Sequence, residues 1–260
     1  MLYTYNESTF KDIFEYFNNN IYSIPEFPFK NIYYIDNMQE DIKLFCTPKE
    51  FENSDNKGVT LLPNEYLNEI IVVIDISSNN MIDFVRTLMH ELIHVYDFIN
   101  FSKYYFNKPF IDISKHKLFE TFRGWSEFKA FAYSDYHTYK YMDATLNANN
   151  TSIAMACFES NLKPFLETKR QMVLDGGLNF YDLVMILGYI YALDNYHYIQ
   201  KIDNSCVYKY LPLVFHSNLK DNLYHLFELY FESCHNNNVF LNLTRMKNIE
   251  DQIIHVDKAD

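Results

Sequence analysis

Residues 69–76 read EIIVVIDI, a nearly unbroken run of apolar, mostly β-branched side chains. Such a run is typical of a strand that is buried on both faces of a sheet. Ser77, Ser78, Asn79 and Asn80 follow it, residue types that cap helices, and apolar residues then recur at helical spacing. We therefore predict a buried strand and, after it, a helix over residues 81–101.

The rest of the chain divides into a β-rich first part and a helical second part. Before residue 80 the patterns predict a helix at residues 7–17 and further strands at 31–35, 42–46 and 60–62. After residue 101 they predict a helix that begins at 117 or 122 and ends at 141, and then helices at about 152–174, 181–195 and 218–235. The run Asn236, Asn237 and Asn238 predicts a turn or helix stop.

Composition limits the classes of partner. A net charge of -12 and a sequence pI of about 5.2 argue against nucleic acid or an anionic bilayer, since both attract basic surfaces. The longest apolar run, residues 183–193, is shorter than the roughly 20 residues that cross a bilayer, so we interpret it as a buried helix. The sequence starts without a secretory signal pattern, and its 4 cysteines form no CxxC pair. We expect a cytoplasmic protein with reduced thiols.

The sequence HELIH lies at residues 90–94, inside the helix predicted after the buried strand. His90 and His94 are one helical turn apart, so their imidazoles project from the same face and can reach one metal ion. Zinc accepts neutral imidazole nitrogen, and Glu91 is placed to take a proton from a metal-bound water. The motif therefore predicts a Zn²⁺ site with His90 and His94 as ligands and Glu91 as the general base.

A catalytic zinc needs a third protein ligand and one open position. The metzincin pattern HExxHxxGxxH is absent, because Asp97 stands at its glycine and Asn100 at its third histidine. Glu127, in the sequence WSEFKA, is our candidate, since it lies in the next predicted helix beside small residues that favour close helix packing. Two alternatives stay open: Glu120 as the ligand, or Glu127 as an ordinary charge on the helix surface.

Asp97 has a different expected role. It follows His90 by two helical turns and so lies on the same helix face. A carboxylate there can accept a hydrogen bond from an imidazole and orient it toward the metal, so we predict that Asp97 supports the ligands without binding zinc itself. A side chain that stabilises the oxyanion of the reaction is also expected, and its candidates are Tyr133, Tyr136, His137, Tyr196 and His197.

The segments HELIHVYD and WSEFKA resemble the mitochondrial inner-membrane-space metallopeptidases that process an ATP synthase subunit, whose pattern is HELxHxxD followed by SExRA. They also look like gluzincin-type proteins of bacteria and phages. The resemblance covers residues 69–134 and implies zinc ligands at His90, His94 and Glu127. It further implies a catalytic base at Glu91, and it matches Asp97 with the family's aspartate. The chain departs from the pattern by a longer segment before the SE pair, a lysine in place of arginine, and the absence of the family's cysteines.

Together these features predict an α+β fold. Residues 1–146 are expected to form a zincin-like metallopeptidase core, with a small β-sheet and the active-site helix. Residues 147–260 are expected to form a mainly helical C-terminal part, which also fits within the same compact domain. The predicted function is zinc-dependent hydrolysis of a peptide bond, with a protein or peptide as substrate and no nucleic acid or membrane partner; the oligomeric state is left open.

Two other function classes fit part of the sequence. A carboxylate-bridged di-iron bundle uses Glu-x-x-His pairs, and Glu91–His94 and Glu232–His235 have this spacing. That interpretation leaves His90 without a role and fits poorly with the β-rich first part. A non-catalytic metal-binding regulatory protein would instead use residues 183–193 and 196–215 as a partner surface. Identifying the bound metal tests the first alternative. Measuring partner binding by the metal-free protein tests the second.

Overall fold

The computed structural model describes residues 7–45, 57–64, 67–77, 80–146 and 217–256, together with positions 164, 168, 184–188 and 191. The described residues belong to two compact units. The first unit draws on Met1–Lys115 and His137–Ala148, and the second on His116–Tyr136 and Asn149–Asp260.

Six α-helices and three strands have both ends within the described part of the chain. The helices are α1 (Glu7–Asn20), α2 (Met38–Asp41), α3 (Met81–Phe106), α4 (Phe119–Leu146), α5 (Ser217–Asn236) and α6 (Val239–Val256). The strands are β1 (Ile32–Ile35), β2 (Gly58–Leu61) and β3 (Ile71–Asp75). This is an α+β fold that is mostly helical, in agreement with the predicted class. No helix among the described residues is long and apolar enough to cross a membrane.

The strand β3 lies in the middle of the described sheet, whose order is β1-β3-β2. β1 runs parallel to β3, and β2 runs antiparallel to it with Gly58 opposite Ile74 and Thr60 opposite Val72. Every residue of β3 is buried, which confirms the prediction of a strand covered on both faces. α3 packs against both β2 and β3.

The two faces of the sheet contribute to different layers of the core, because successive side chains of a strand point in opposite directions. On one face, buried apolar side chains form a cluster with part of α2: Ile35, Met38, Ile42, Ile71 and Val73. Val59 and Leu61 of β2 pack against that cluster. Gly58 and Thr60 therefore point to the opposite face, which is the face covered by α3.

The helix α3, which carries the HELIH sequence, begins where the sequence predicts. Asn80 caps it, since the Asn80 side chain accepts a hydrogen bond of 3.1 Å from the backbone N–H of Ile82. The helix continues past the predicted end at residue 101 because the next five residues, SKYYF, contain no glycine or proline. It stops at Asn107, whose φ of 55° is left-handed, a conformation that asparagine adopts more readily than most residues.

One secondary-structure prediction is wrong, and one helix was not predicted. Instead of a strand at residues 42–46, the structure has a 3-10 helix at Ile42–Leu44, directly after α2. Asn37 caps α2, which leads directly into this 3-10 helix, by accepting a hydrogen bond of 3.3 Å from the backbone N–H of Glu40. The helix α6 was not predicted, although the turn before it was: Asn237 has a left-handed φ of 50°, immediately after α5 ends.

The predicted helices at 152–174 and 181–195 lie largely outside the described residues. The positions that are described there, 164, 168, 184–188 and 191, are all helical. Val184, Ile186 and Leu187 are at most 1% exposed, as expected for the apolar run at 183–193.

The second unit contains a buried carboxylate that joins three helices. Glu250 of α6 accepts hydrogen bonds from the Thr121 hydroxyl of α4 at 2.7 Å and from the Tyr230 hydroxyl of α5 at 2.8 Å. The indole N–H of Trp125 donates to the backbone carbonyl of Tyr230 at 3.3 Å. Burial raises the pKa of Glu250 even though both hydroxyl donors oppose the rise.

Candidate metal centre

The helix α3 brings its two motif histidines into contact. The Nε2 atoms of His90 and His94 are 3.1 Å apart, and the two rings meet edge to face with centroids 4.7 Å apart. His94 is 4% exposed and stacks on Phe98, one turn further along, with ring centroids 5.5 Å apart. The Nε2 atoms of the two rings therefore lie close enough to contact each other or to bind one ion.

Glu127 joins the two histidines. The ligand atoms of His90, His94 and Glu127 all lie within 4.8 Å of one another, so the three side chains form a group that can hold a metal ion. His94 is buried, whereas His90 and Glu127 are half-buried. The structure thus places together the three residues that the sequence nominated as ligands.

The spacing of the imidazoles fits zinc. Zn–N bonds of about 2.0–2.1 Å at a tetrahedral angle put two ligand nitrogens about 3.3 Å apart. The observed Nε2 to Nε2 distance of 3.1 Å is close to this value. If both Nε2 atoms bound a metal, each ring proton would reside on Nδ1, since only an unprotonated nitrogen has a lone pair to donate. The donor set of two imidazoles and one carboxylate is one that zinc accepts.

Glu91 is buried beside the histidines, with 6% of its surface exposed. The Thr60 hydroxyl of β2 lies 2.8 Å from Oε2 of Glu91 and 3.1 Å from its backbone carbonyl oxygen. Gly58, on the same face of β2, leaves no room for a side chain: a β-carbon there would lie 3.0 Å from Glu91 Cγ and 3.1 Å from its Oε1. The carboxylate of the predicted base is thus enclosed by β2.

Thr60 and Gly58 were not identified from the sequence. Thr60 lies in the predicted strand at 60–62, but a threonine in a strand is ordinary and gives no sign of a partner. A glycine at the start of a strand does indicate close approach of another group. With only 5 glycines in the chain, Gly58 is the signal that could have been noticed.

Asp97 and Glu120 do not belong to the group that can hold a metal ion. Asp97 is buried in α3, 2% exposed, and is not one of the three grouped ligands. Its predicted supporting role stays a prediction. Glu120, the alternative third ligand, has a side chain that is 74% exposed and pairs with Arg123 at 3.4 Å.

The two Glu-x-x-His pairs of the di-iron alternative are not grouped around a metal position in the described residues. The group that can hold a metal contains neither Glu232 nor His235. His235 instead lies 3.3 Å from the Tyr191 hydroxyl, and the Asn238 amide donates to Glu232 at 3.5 Å.

No model of a known protein family matches the chain, and neither does any curated protein or solved structure. The likeness of HELIHVYD and WSEFKA to mitochondrial metallopeptidases therefore stays a similarity of short motifs. Any function assigned to this protein has to be argued from the chemistry of its own residues.

Proposed function

We propose that this protein is a zinc-dependent metallopeptidase of the gluzincin type, with His90, His94 and Glu127 as the metal ligands. The observation that carries the proposal is the group of three ligand atoms within 4.8 Å of one another, formed around an HExxH helix whose two Nε2 atoms are 3.1 Å apart. Three protein ligands leave a fourth tetrahedral position for water, as in catalytic rather than structural zinc sites.

When bound there, zinc would lower the pKa of a coordinated water toward about 7 and polarise the carbonyl of a substrate. The side chain of Glu91 then supplies the acid–base chemistry. Its carboxylate accepts a proton from the attacking water, so that the water oxygen bonds to the carbonyl carbon. Glu91 returns the same proton to the leaving amine nitrogen as the peptide bond breaks. One carboxylate thus serves as base and then as acid.

The position of β2 at an edge of the described sheet favours an extended peptide as substrate. β2 is an edge strand of the described sheet and packs against α3 beside Glu91. An extended peptide can add to such an edge through main-chain hydrogen bonds, which brings its backbone past the metal position. The net charge of -12 favours substrates that are neutral or basic.

Metal binding is tested by titration calorimetry of the metal-free protein with Zn²⁺. We expect one zinc per chain. Glu127→Gln should weaken zinc binding by more than about tenfold, because a direct ligand is lost. Glu120→Gln is the matched control, since Glu120 lies on the same helix but is exposed and paired with Arg123. Equal affinities in the Glu127→Gln and Glu120→Gln variants would refute Glu127 as a ligand.

Peptidase activity is tested on a mixture of peptides from a digested proteome, with new termini identified by mass spectrometry. The zinc-loaded protein should cleave a subset of these peptides. Glu91→Gln should retain zinc and lose at least about 100-fold in rate, the smallest contribution usually made by a general base. The proposal fails if the zinc-loaded protein cleaves nothing, or if Glu91→Gln cleaves at the rate of the unaltered protein.

A further inference from the structure

The edge strand β2 makes its closest contacts with α3 at the residue to which the proposed function assigns proton transfer. Gly58 and Thr60 point toward α3, whereas Val59 and Leu61 point toward the apolar cluster on the other face. The pairing of Gly58 with Ile74 and of Thr60 with Val72 in the sheet fixes this orientation. A shift of β2 by one residue would exchange the two faces.

The Thr60 hydroxyl has two acceptors within reach on Glu91 and a single proton to donate. The contact with the side-chain Oε2 is 2.8 Å, and the contact with the backbone carbonyl oxygen is 3.1 Å. A carboxylate is the stronger acceptor, so the side-chain hydrogen bond is the favoured one. Because Glu91 is only 6% exposed, water cannot readily replace this donor.

Gly58 encloses the Glu91 side chain from the same strand. A β-carbon at Gly58 would lie 2.6 Å from Cγ2 of Thr87, and also within 3.1 Å of Glu91 Cγ and Oε1. Contacts shorter than 3.0 Å require the neighbours to move. Thr87 and Glu91 lie one turn apart on α3, so the absence of a side chain at Gly58 lets β2 approach this part of the helix.

We propose that Thr60 is a positioning residue for the Glu91 carboxylate, and that Gly58 permits the close approach of β2 on which the Thr60 hydrogen bond depends. The kinetic consequence rests on the proposed function. A general base must be held within hydrogen-bond reach of the water from which it takes a proton. Thr60 restricts rotation of the carboxylate by binding one of its oxygens and leaves the second oxygen available for proton transfer.

The experiment compares Thr60→Val, which has the same shape without the hydroxyl, with Thr60→Ser, which keeps the hydroxyl. Each variant is loaded with zinc and assayed on the peptide that the unaltered protein cleaves best in the digest mixture. Thr60→Val should lower kcat by about tenfold or more, with KM and zinc stoichiometry unchanged. Thr60→Ser should keep kcat within about threefold, because it keeps the donor.

A crystal structure of each metal-free variant gives a readout that does not depend on turnover. We expect the Glu91 carboxylate to leave its position in Thr60→Val and to keep it in Thr60→Ser. Gly58→Ala should displace the same carboxylate even though Thr60 is intact. If Thr60→Val does not fold, Thr60→Ala provides the same comparison.

The outcomes separate this inference from the proposed function. An inactive Glu91→Gln variant beside a fully active Thr60→Val variant would overturn the positioning role alone. Equal activity of Glu91→Gln and the unaltered protein would overturn the proposed function, and the crystal structures would then still decide whether Thr60 positions Glu91. A Thr60→Val variant that loses kcat, zinc content and thermal stability together would show a merely structural role and would also overturn the inference.

Discussion

His137, in the part of α4 that belongs to the first unit, should make the protein less stable as the pH falls from 7.5 to 5. Its ring nitrogen Nδ1 has no exposed surface. Burial lowers the pKa of His137 from 6.5 to about 4, and the positive charge of Lys140 contributes further to this lowering. The ring is therefore neutral in the folded protein at neutral pH.

The size of the effect follows from proton linkage. Between pH 6.5 and pH 4 the unfolded chain binds a proton at His137 that the folded protein does not bind, so stability falls as the pH falls. Each unit of pKa difference corresponds to about 1.4 kcal/mol. From pH 7.5 to pH 5 the folded protein should lose about 2 kcal/mol through this one group, and the loss should be complete below pH 4.

Urea denaturation of the metal-free protein at a series of pH values measures how its free energy of unfolding depends on pH. The unaltered protein is compared with His137→Gln, which keeps a polar side chain suited to a helix but does not titrate. The difference between their unfolding free energies should change by about 2 kcal/mol between pH 7.5 and pH 5. Lys140→Gln should reduce this change only slightly, because burial is the larger cause. A difference that stays constant over the pH range would refute a lowered pKa for His137.

Two further predictions concern hydrogen bonds and charge. Tyr230→Phe should lower the free energy of unfolding by about 1.5–3 kcal/mol, because the buried carboxylate of Glu250 loses the 2.8 Å hydrogen bond from Tyr230; urea denaturation measures this, and an unchanged midpoint would contradict the hydrogen bond. Burial raises the pKa of Asp75, but hydrogen bonds from Ser77 and the charge of Lys57 lower it, so that the pKa lies below its ordinary value. Lys57→Ala should therefore raise the pKa of Asp75. Since Lys57 is 52% exposed, its removal should cost less than about 1 kcal/mol, and only above the pH at which Asp75 ionises. If NMR titration gives the same pKa for Asp75 in Lys57→Ala and in the unaltered protein, the ion pair is excluded.

The group of residues that can hold a metal and the helix α3 were accessible to sequence reasoning because their signals are local. His90 and His94 are one turn apart on a helix whose start is fixed by Asn80. The buried strand before this helix can be predicted from its run of apolar residues alone. A strand that is covered on both faces has no polar side chains to alternate with apolar ones. Glu127 could be nominated as well, since WSEFKA places a carboxylate beside small residues in the next helix.

The contact between Thr60 and Glu91 could not be found in the same way, because it depends on strand pairing. Thr60 meets Glu91 only because β2 pairs antiparallel with β3 in one register. Register is decided by the packing of both faces and not by any single residue. The strand predicted at 42–46 is wrong because its apolar residues were counted as a strand pattern, whereas residues 42–44 continue the helical turn of α2, which Asn37 caps.

The buried carboxylate of the second unit also has a consequence for how this protein is made. Thr121 and Glu250 are separated by 129 positions along the chain, and Trp125 and Tyr230 by 105. Contacts between such distant segments close slowly, and a growing polypeptide cannot form them before both partners have been synthesised. While the ribosome is still translating the codons that precede Glu250, the buried faces of α4 and α5 are without their last covering helix. Chaperones that bind exposed apolar segments would meet the nascent chain during this interval.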